Sequence, residues 1–419
     1  MPYVVRMAWR NLSRNRARTL LSVGAVAAGV AVVILLKGFV DGSVDTVLGN
    51  TIRLTSGHVR IIRPEYRQKE RLLSLAYPVE GFHGEGFEAV VEATRGLPGV
   101  TEAFGRIRFG ALFSKGERTR GIMVIGTDLA AEDRVAHLSR FVDEGRLPKP
   151  GEKEVLLGKD LMDSLGLQVG GRVTFLFHDA FGALRAATFT VSGRMRSGLR
   201  LLDEGSAYLP LDRAQALLSM PGAVTEVVVF GATQGSAQSI ASEVRAVLRE
   251  KGATEAYLAI PWQQHNAMVR YLTTVQVVFS IVYGLVIMLA CFVVFNTFWM
   301  IVNERRRELG MLGALGFTPS DMLRLVLAEA GLIGLVGSAV GAAVGSGVNE
   351  WLAHAGLDVS SYVRAAGKDL LYFPVLYPVQ SWETTAVAFG LGWAITVLAT
   401  LSPAWTATRT RPTEALRSV

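Results

Sequence analysis

The sequence predicts an α-helical membrane protein in which four transmembrane helices carry a large α/β extracytoplasmic domain, inserted between helices 1 and 2. Three observations predict it: an apolar composition, four long uncharged runs, and the uneven placement of basic residues. Half of the 419 residues are hydrophobic and 19% are charged, against about 25% charged in an ordinary soluble domain. The mean hydropathy is +0.33. The apolar residues concentrate near both ends and flank a middle of normal polarity, which excludes a disordered chain and argues against a purely soluble enzyme.

Residues 1–18 predict a cytoplasmic amphipathic helix. They carry Arg6, Arg10, Arg14, Arg16 and Arg18 and no acid. The first span, 19–40, is interrupted only by Lys37, whose ammonium can reach the interface. A signal peptide fits the basic start, but the apolar stretch exceeds the usual h-region of about 7–15 residues and no small-x-small cleavage site follows. An uncleaved anchor is the better reading.

The second span lies in 271–302, where Leu272–Ile301 holds no charged residue. The third lies in 325–349 and carries Glu329, and the fourth, 384–406, is again charge-free. Each reaches the ~20 residues needed to cross a hydrocarbon core. The 303–324 loop holds Arg305, Arg306, Arg307 and Arg324, and the 407–419 tail holds Arg409, Arg411 and Arg417. The 350–383 loop has only Arg364 and Lys368. Basic residues collect on the cytoplasmic side of a membrane protein, so both termini and the 303–324 loop are expected there. The 41–270 domain and the 350–383 loop are expected outside.

Residues 41–270 contain 28 Lys/Arg and 27 Asp/Glu, a net charge of +1. A nearly neutral domain is a poor polyanion binder, so the pI of about 9.6 does not predict nucleic acid. The lone cysteine, Cys291, has no intrachain partner.

Strand patterns appear at Gly57–Arg63, Arg172–Phe177, Ala186–Met195 and Val227–Phe230, with a turn at Gly170-Gly171. Helical patterns appear at Gly86–Arg95, Asp212–Leu218 and Ser236–Lys251. Val44, Val47 and Leu48 continue the helical spacing beyond the first span, and Met268 and Tyr271 lead into the second. The uncharged Leu272–Ile301 run would measure ~45 Å as a helix against a ~30 Å core. These segments predict a two-helix stalk; two separate helices packed on the outer domain are the alternative.

No catalytic or metal-binding pattern emerges. The segment Gly151–Asp160 has the wrong glycine spacing for a phosphate-binding loop and ends in Asp rather than Ser or Thr, so it predicts a strand and a helix start. The six histidines (58, 83, 137, 178, 265 and 354) show no i,i+4 pair, and no G-x-S-x-G elbow is present. The adjacent acids Glu132-Asp133 and Asp143-Glu144 are expected on solvated faces, and Ser197-Gly198 and Asp203-Glu204 in turns. No cofactor is expected on this chain.

Two packing signals stand out. Gly337, Gly341 and Gly345 fall four apart, a small-xxx-small face that lets helices approach closely. Glu329 is an ionisable group near the start of that helix, expected to be functional or paired, with snorkelling to the interface as the alternative. The loop Glu304–Gly316 reads as a short amphipathic helix with Leu309, Met311, Leu312 and Leu315 partly exposed. Such an apolar patch ringed by charge suits a partner surface. Thr318, Pro319 and Ser320 then predict a new helix start.

Three segments carry a family resemblance: Ala8–Thr19, Glu304–Gly316 and Pro403–Arg417. Together with Lys159–Phe175, they make the chain resemble permease subunits of ATP-binding cassette (ABC) systems of the FtsX, MacB and LolC/LolE type. Asp41-Gly42 and Ser56-Gly57-His58-Val-Arg-Ile61 look closest to the lipoprotein-release LolC/LolE class. The resemblance implies a MacB-like periplasmic core and a multi-pass location in the bacterial inner (plasma) membrane. It implies a coupling helix docking on a separate cytoplasmic ABC ATPase dimer that binds ATP and Mg, and carries that role onto Glu304, Arg305, Arg306, Glu308, Leu309, Gly310, Leu312, Leu315 and Gly316. A second permease copy or a related permease, membrane lipid, and a lipoprotein or periplasmic partner complete the expected assembly. The expected function is lipoprotein release or amphiphile export by mechanotransmission. The alternative is an FtsX-like regulator that passes ATPase state to an extracytoplasmic partner such as a cell-wall hydrolase.

Overall fold

The computed structural model describes residues 2–14, 16–115, 118–264, 267–304, 308, 311–312, 315–358 and 375–408. The chain divides into two compact units. A helical unit is drawn from residues up to Asp45, from Leu272 to Asp358 and from Val375 onward; an α/β unit runs from Thr46 to Tyr271.

In the helical unit, Pro2–Arg14 forms a short helix with one apolar face. Four long helices follow in the chain: Arg16–Thr51, Ala267–Glu304, Pro319–Ala355 and Trp382–Thr408. All four are long and apolar enough to cross a membrane. Val26, Val30 and Ile34 of the first pack with Val294, Phe298 and Ile301 of the second, Ala330 and Ile333 of the third, and Ala388 of the fourth. The second turns Ile281, Leu285, Met288 and Phe292 outward, as expected where the surroundings are lipid instead of water. The third starts where the sequence predicts. Thr318 Oγ1 accepts from Asp321 N while Asp321 Oδ2 accepts from Thr318 N, with Pro319 at the first helical position.

The α/β unit is built on one ten-stranded mixed sheet. Its strands are β1 (Val59–Ile62), β2 (Val100–Lys115), β3 (Arg118–Thr127), β4 (Val142–Gly145), β5 (Glu154–Gly158), β6 (Arg172–His178), β7 (Leu184–Met195), β8 (Ser206–Pro210), β9 (Glu226–Gly231) and β10 (Leu258–Pro261). The order is β10-β1-β9-β2-β3-β8-β5-β7-β4, with β6 pairing to both β2 and β7. Neighbours are antiparallel except β3 with β8 and β5 with β7. The alternation of β6 buries Val173, Phe175 and Phe177 and leaves Arg172 and His178 outside. Phe175 meets Phe189 at 5.3 Å and Phe113 at 6.1 Å between ring centroids. Amphipathic helices Glu88–Arg95, Leu211–Leu218 and Ala237–Glu250 close the core, the last through Ile240, Val244 and Leu248. Gly151–Asp160 forms β5 and the start of helix Lys159–Leu165.

Two expectations are overturned here. Glu132 was expected on a solvated face; the structure buries it completely, against Arg106. Helix Leu129–Ala136 begins at an Asp128 cap that accepts from Ala130 N and Ala131 N. This cap turns Glu132, in the first turn, toward the sheet, and the pairing outweighs its hydration. Ser197-Gly198 is a loop as expected, but Asp203-Glu204, expected in a turn, lies in the helix Arg200–Gly205, where buried Asp203 accepts from Ser197 N, Ser197 Oγ and Gly198 N.

Candidate functional site

Of the residues singled out from sequence, the helical unit brings the glycine stripe and Glu329 against neighbouring helices. The glycine stripe on Pro319–Ala355 faces the first long helix so closely that a side chain has no room. A Cβ at Gly337 would stand 2.8 Å from Val26 Cβ, one at Gly341 would stand 2.9 Å from Ala27 Cα, and one at Gly345 would stand 3.0 Å from Ala31 Cα. Backbone therefore rests on backbone along three turns. Just beyond, Asn349 Nδ2 donates to the Ile34 carbonyl at 3.2 Å, and Val379 N donates to the Gly38 carbonyl at 2.9 Å. Gly42 lies against Pro378, where a Cβ would come within 2.9 Å of its Cα.

Glu329 is buried and does not reach out to solvent. It accepts from Asn11 Nδ2 at 2.8 Å, which ties the short N-terminal helix to the third long helix. An intramembrane carboxylate is retained when it has such a partner.

The segment after the second helix is described in part. Arg305, Arg306, Leu309 and Gly310 lie outside the described residues. Glu304 ends the helix Ala267–Glu304, and Glu308, Met311 and Leu312 are helical. Gly316 adopts a φ of +97° just past that turn, a conformation that suits glycine. Phe317 N donates to the Leu312 carbonyl. Sequence placed Leu312 on the exposed patch; the structure packs it against Val302, Val326 and Ala404. Met311 (52% exposed) and Leu315 (80% exposed) remain as the outward apolar pair.

Of the stalk residues, Val44 and Val47 are buried, Leu48 is half-buried, and Met268 and Tyr271 fall within the helix Ala267–Glu304.

The α/β unit contains a constellation that sequence reasoning missed. The helix Arg16–Thr51 passes directly into a π-turn, Ile52–Ser56, before Gly57 turns the chain into β1. Gly57 has a φ of +63° and accepts the reversal that a residue with Cβ resists. The carbonyls left open at this helix end are held by buried side chains. Thr55 O accepts from Arg106 Nη1 at 2.9 Å and from Arg108 Nη2, and Tyr208 OH donates to Leu54 O at 3.4 Å. Cations at a helix C-terminus are favourable, and here they are fixed by carboxylates. Arg106 forms a two-point pair with Glu132; Arg108 Nε lies 2.9 Å from Glu226 Oε1; Arg60 Nη1 lies 3.1 Å from Glu226 Oε2 and 2.8 Å from Glu70 Oε1. Arg60, Arg106, Glu132 and Glu226 are essentially inaccessible to water.

Burial works against charge on Arg60 and Arg106. The carboxylates of Glu226 and Glu70 at Arg60, and of Glu132 and Glu226 at Arg106, outweigh it and hold both guanidiniums above their ordinary range. Tyr66 is fully buried beside the cluster; burial, then Glu226, push its phenol up to about 12. Three cations meet three anions, so the cluster closes electrically.

His58 follows the glycine turn and sits edge-on to Phe230 at 5.9 Å. Burial, then the Arg53 guanidinium, push its imidazole down to about 4, below the ordinary value near 6.5. The folded protein therefore binds fewer protons than the unfolded chain between those two values. His58 should contribute its full stability above about pH 6.5 and lose it progressively as pH falls toward 4. Comparing melting temperatures of wild type and His58→Asn over this window checks the point. The variant should fall less steeply with acid; parallel curves would refute the assignment.

Comparisons with known proteins fit this architecture. The model of the MacB-like periplasmic core domain matches residues 19–247, and that of the FtsX-like permease C-terminal region matches residues 280–412. The chain is 28% identical over 383 residues to the lipoprotein-releasing system transmembrane protein LolC of Xylella fastidiosa strain Temecula1, covering 89% of this chain and 90% of that protein. It is 25% identical over 357 residues to the transmembrane protein LolE of Haemophilus influenzae strain Rd, covering 80% and 81%. It is 23% identical over 435 residues to the macrolide export ATP-binding/permease protein MacB of Wolinella succinogenes, covering 99% of this chain and 60% of that protein. A helical unit suited to the membrane, joined in sequence to a MacB-like core, defines a transporter permease. The chain belongs to the ABC transporter permease family of the LolC/LolE and MacB type.

Proposed function

We propose that this permease works by mechanotransmission: ATP hydrolysis on a separate cytoplasmic ATPase dimer drives movement of the extracytoplasmic α/β unit. That movement releases a lipoprotein or exports another amphiphile. The observation that carries the reading is the unbroken helical run Thr19–Ser56, which starts in an apolar span and ends on the buried Arg106 and Arg108. A helix whose last carbonyls are pinned by charge-assisted hydrogen bonds is suited to pass on displacement instead of fraying. The MacB relative has ATP binding in its name and matches this chain over 60% of its length; we assign ATP and Mg to a separate chain here. The LolC and LolE relatives are named for lipoprotein release, which supports that cargo class. The basic loops support an inner-membrane protein with both termini cytoplasmic, and a second permease, identical or related, would complete the complex.

The coupling surface is assigned to the Glu304–Gly316 segment, with Met311 and Leu315 as its exposed apolar contacts. Changing both to Asp should reduce stimulation of the partner ATPase to the level of the ATPase alone while leaving the chain membrane-inserted. Normal co-purification and turnover in that double variant would eliminate this surface. Cargo release by the reconstituted complex separates transport from regulation: ATP turnover that changes only a bound extracytoplasmic partner would favour the regulator.

A further inference from the structure

Beside the end of the first long helix, the α/β unit encloses an open cavity of about 250 Å³ whose lining includes Arg53, His58, Thr101, Arg134, Phe230 and Gln234. Nothing in the mechanotransmission reading uses it. At roughly 30 Å³ per water, it is the size of about eight waters, enough for a lipid headgroup or a small ester but below the range of a drug-sized site. Its chemistry is one-sided. No aspartate or glutamate lines it.

The positive charge is only partly compensated. Arg53 is exposed and has no ion-pair partner among the described residues. Arg134 pairs with Glu102 at 2.7 Å, Glu102 also serves Arg95 at 3.0 Å, and the Asp128 carboxylate acts on Arg134 as well, so the uncompensated charge at the cavity is that of Arg53. Thr101 and Gln234 add hydroxyl and amide donors, and the Phe230 ring provides an apolar wall. A wall rich in donors and free of acids selects a ligand rich in acceptors, and guanidinium pairs recognise phosphate oxygens in particular.

We propose that this cavity is a binding site for a phosphate ester, with Arg53 and Arg134 as the phosphate contacts and Phe230 beside the attached carbon chain. Inorganic phosphate and a phospholipid headgroup share this chemistry, and the experiment separates them. The full-length permease in neutral detergent is titrated calorimetrically with inorganic phosphate, with dihexanoyl-phosphatidylglycerol, and with dihexanoyl-phosphatidylcholine, whose headgroup carries no net charge. Saturable binding of the phosphatidylglycerol probe, stronger than that of the phosphatidylcholine probe, assigns a lipid-type ester; saturable binding of phosphate alone assigns a free anion.

Either result supports the site if Arg53→Gln and Arg134→Gln each weaken binding by about tenfold, the loss of one charge-assisted contact. Ala232→Trp, which fills the cavity mouth, should abolish it. Unchanged melting temperatures of the variants certify folding. No saturable binding of any probe to the wild type, or binding indifferent to Arg53→Gln, overturns the proposal. These outcomes do not depend on the partner ATPase, so they leave the transport reading to its own test.

Discussion

Replacing Glu226 by glutamine is expected to destabilise the α/β unit by about 3–5 kcal/mol, the cost of removing one partner from a buried ion pair. Glu226 is fully buried and stands between Arg60 and Arg108. Without its charge, Arg108 keeps only a 4.0 Å approach to Glu70, and Arg60 depends on Glu70 alone. Two guanidiniums then share one carboxylate that is itself 28% exposed. The effect should reach beyond the sheet, because Arg108 also donates to Thr55 at the helix end. Hydrogen exchange provides the check: amides of Ile52–Ser56 and β1 should lose protection together. A loss confined to β9, or a stability change below about 1 kcal/mol, would show that the cluster does not hold the helix end.

The second large effect is expected at Gly341. Leucine there would force its Cβ into the Ala27 backbone, where the nearest Cα is 2.9 Å away. Overpacking of a side chain can be relieved by rotamer changes and costs about 1–3 kcal/mol. Backbone cannot rotate aside, so the third and first long helices must separate. Gly341→Leu should therefore lose the folded helical unit in detergent, read as aggregation or a strongly lowered melting temperature, while Gly347→Leu, where nothing lies within 4 Å of the added Cβ, should behave as wild type. Equal behaviour of the two variants would contradict the close-packed seam.

These two features differ in how far the sequence announced them. The spans and the glycine stripe were legible because both are local patterns: charge-free runs, and small residues repeated at i and i+4 on one helix face. The strands β6 and β9 and the helix Ala237–Glu250 showed their periodicity for the same reason. The ion cluster was not legible because its members come from distant parts of the chain. Arg108 and Glu226 are brought together by the pairing of β2 with β9, which no local pattern specifies.

A signal was nonetheless present. Arg60 sits inside the otherwise apolar Val59–Ile62, and Arg106 and Arg108 share one face of β2 with Ile107 between them. Basic residues in strands this apolar call for buried partners. Adjacency misled in the opposite direction for Glu132-Asp133, where the helix turned the first acid inward. On the exposed coupling patch, the turn places Leu312 inward and Leu315 outward, a division that depends on where Val302, Val326 and Ala404 lie.

The even balance of the cluster has a consequence for how the α/β unit responds to its medium. With Arg60, Arg106 and Arg108 matched by Glu70, Glu132 and Glu226, the cluster contributes no monopole to the far field. Pairs such as Arg146 with Glu154 lie instead at the surface, where water reaches them. Dissolved ions shorten the reach of exposed charges to about 8 Å at physiological strength and do little to pairs sealed from solvent. Ionic strength thus acts on the surface and spares the junction, so the grip on the helix end is insulated from changes of salt in the surrounding medium.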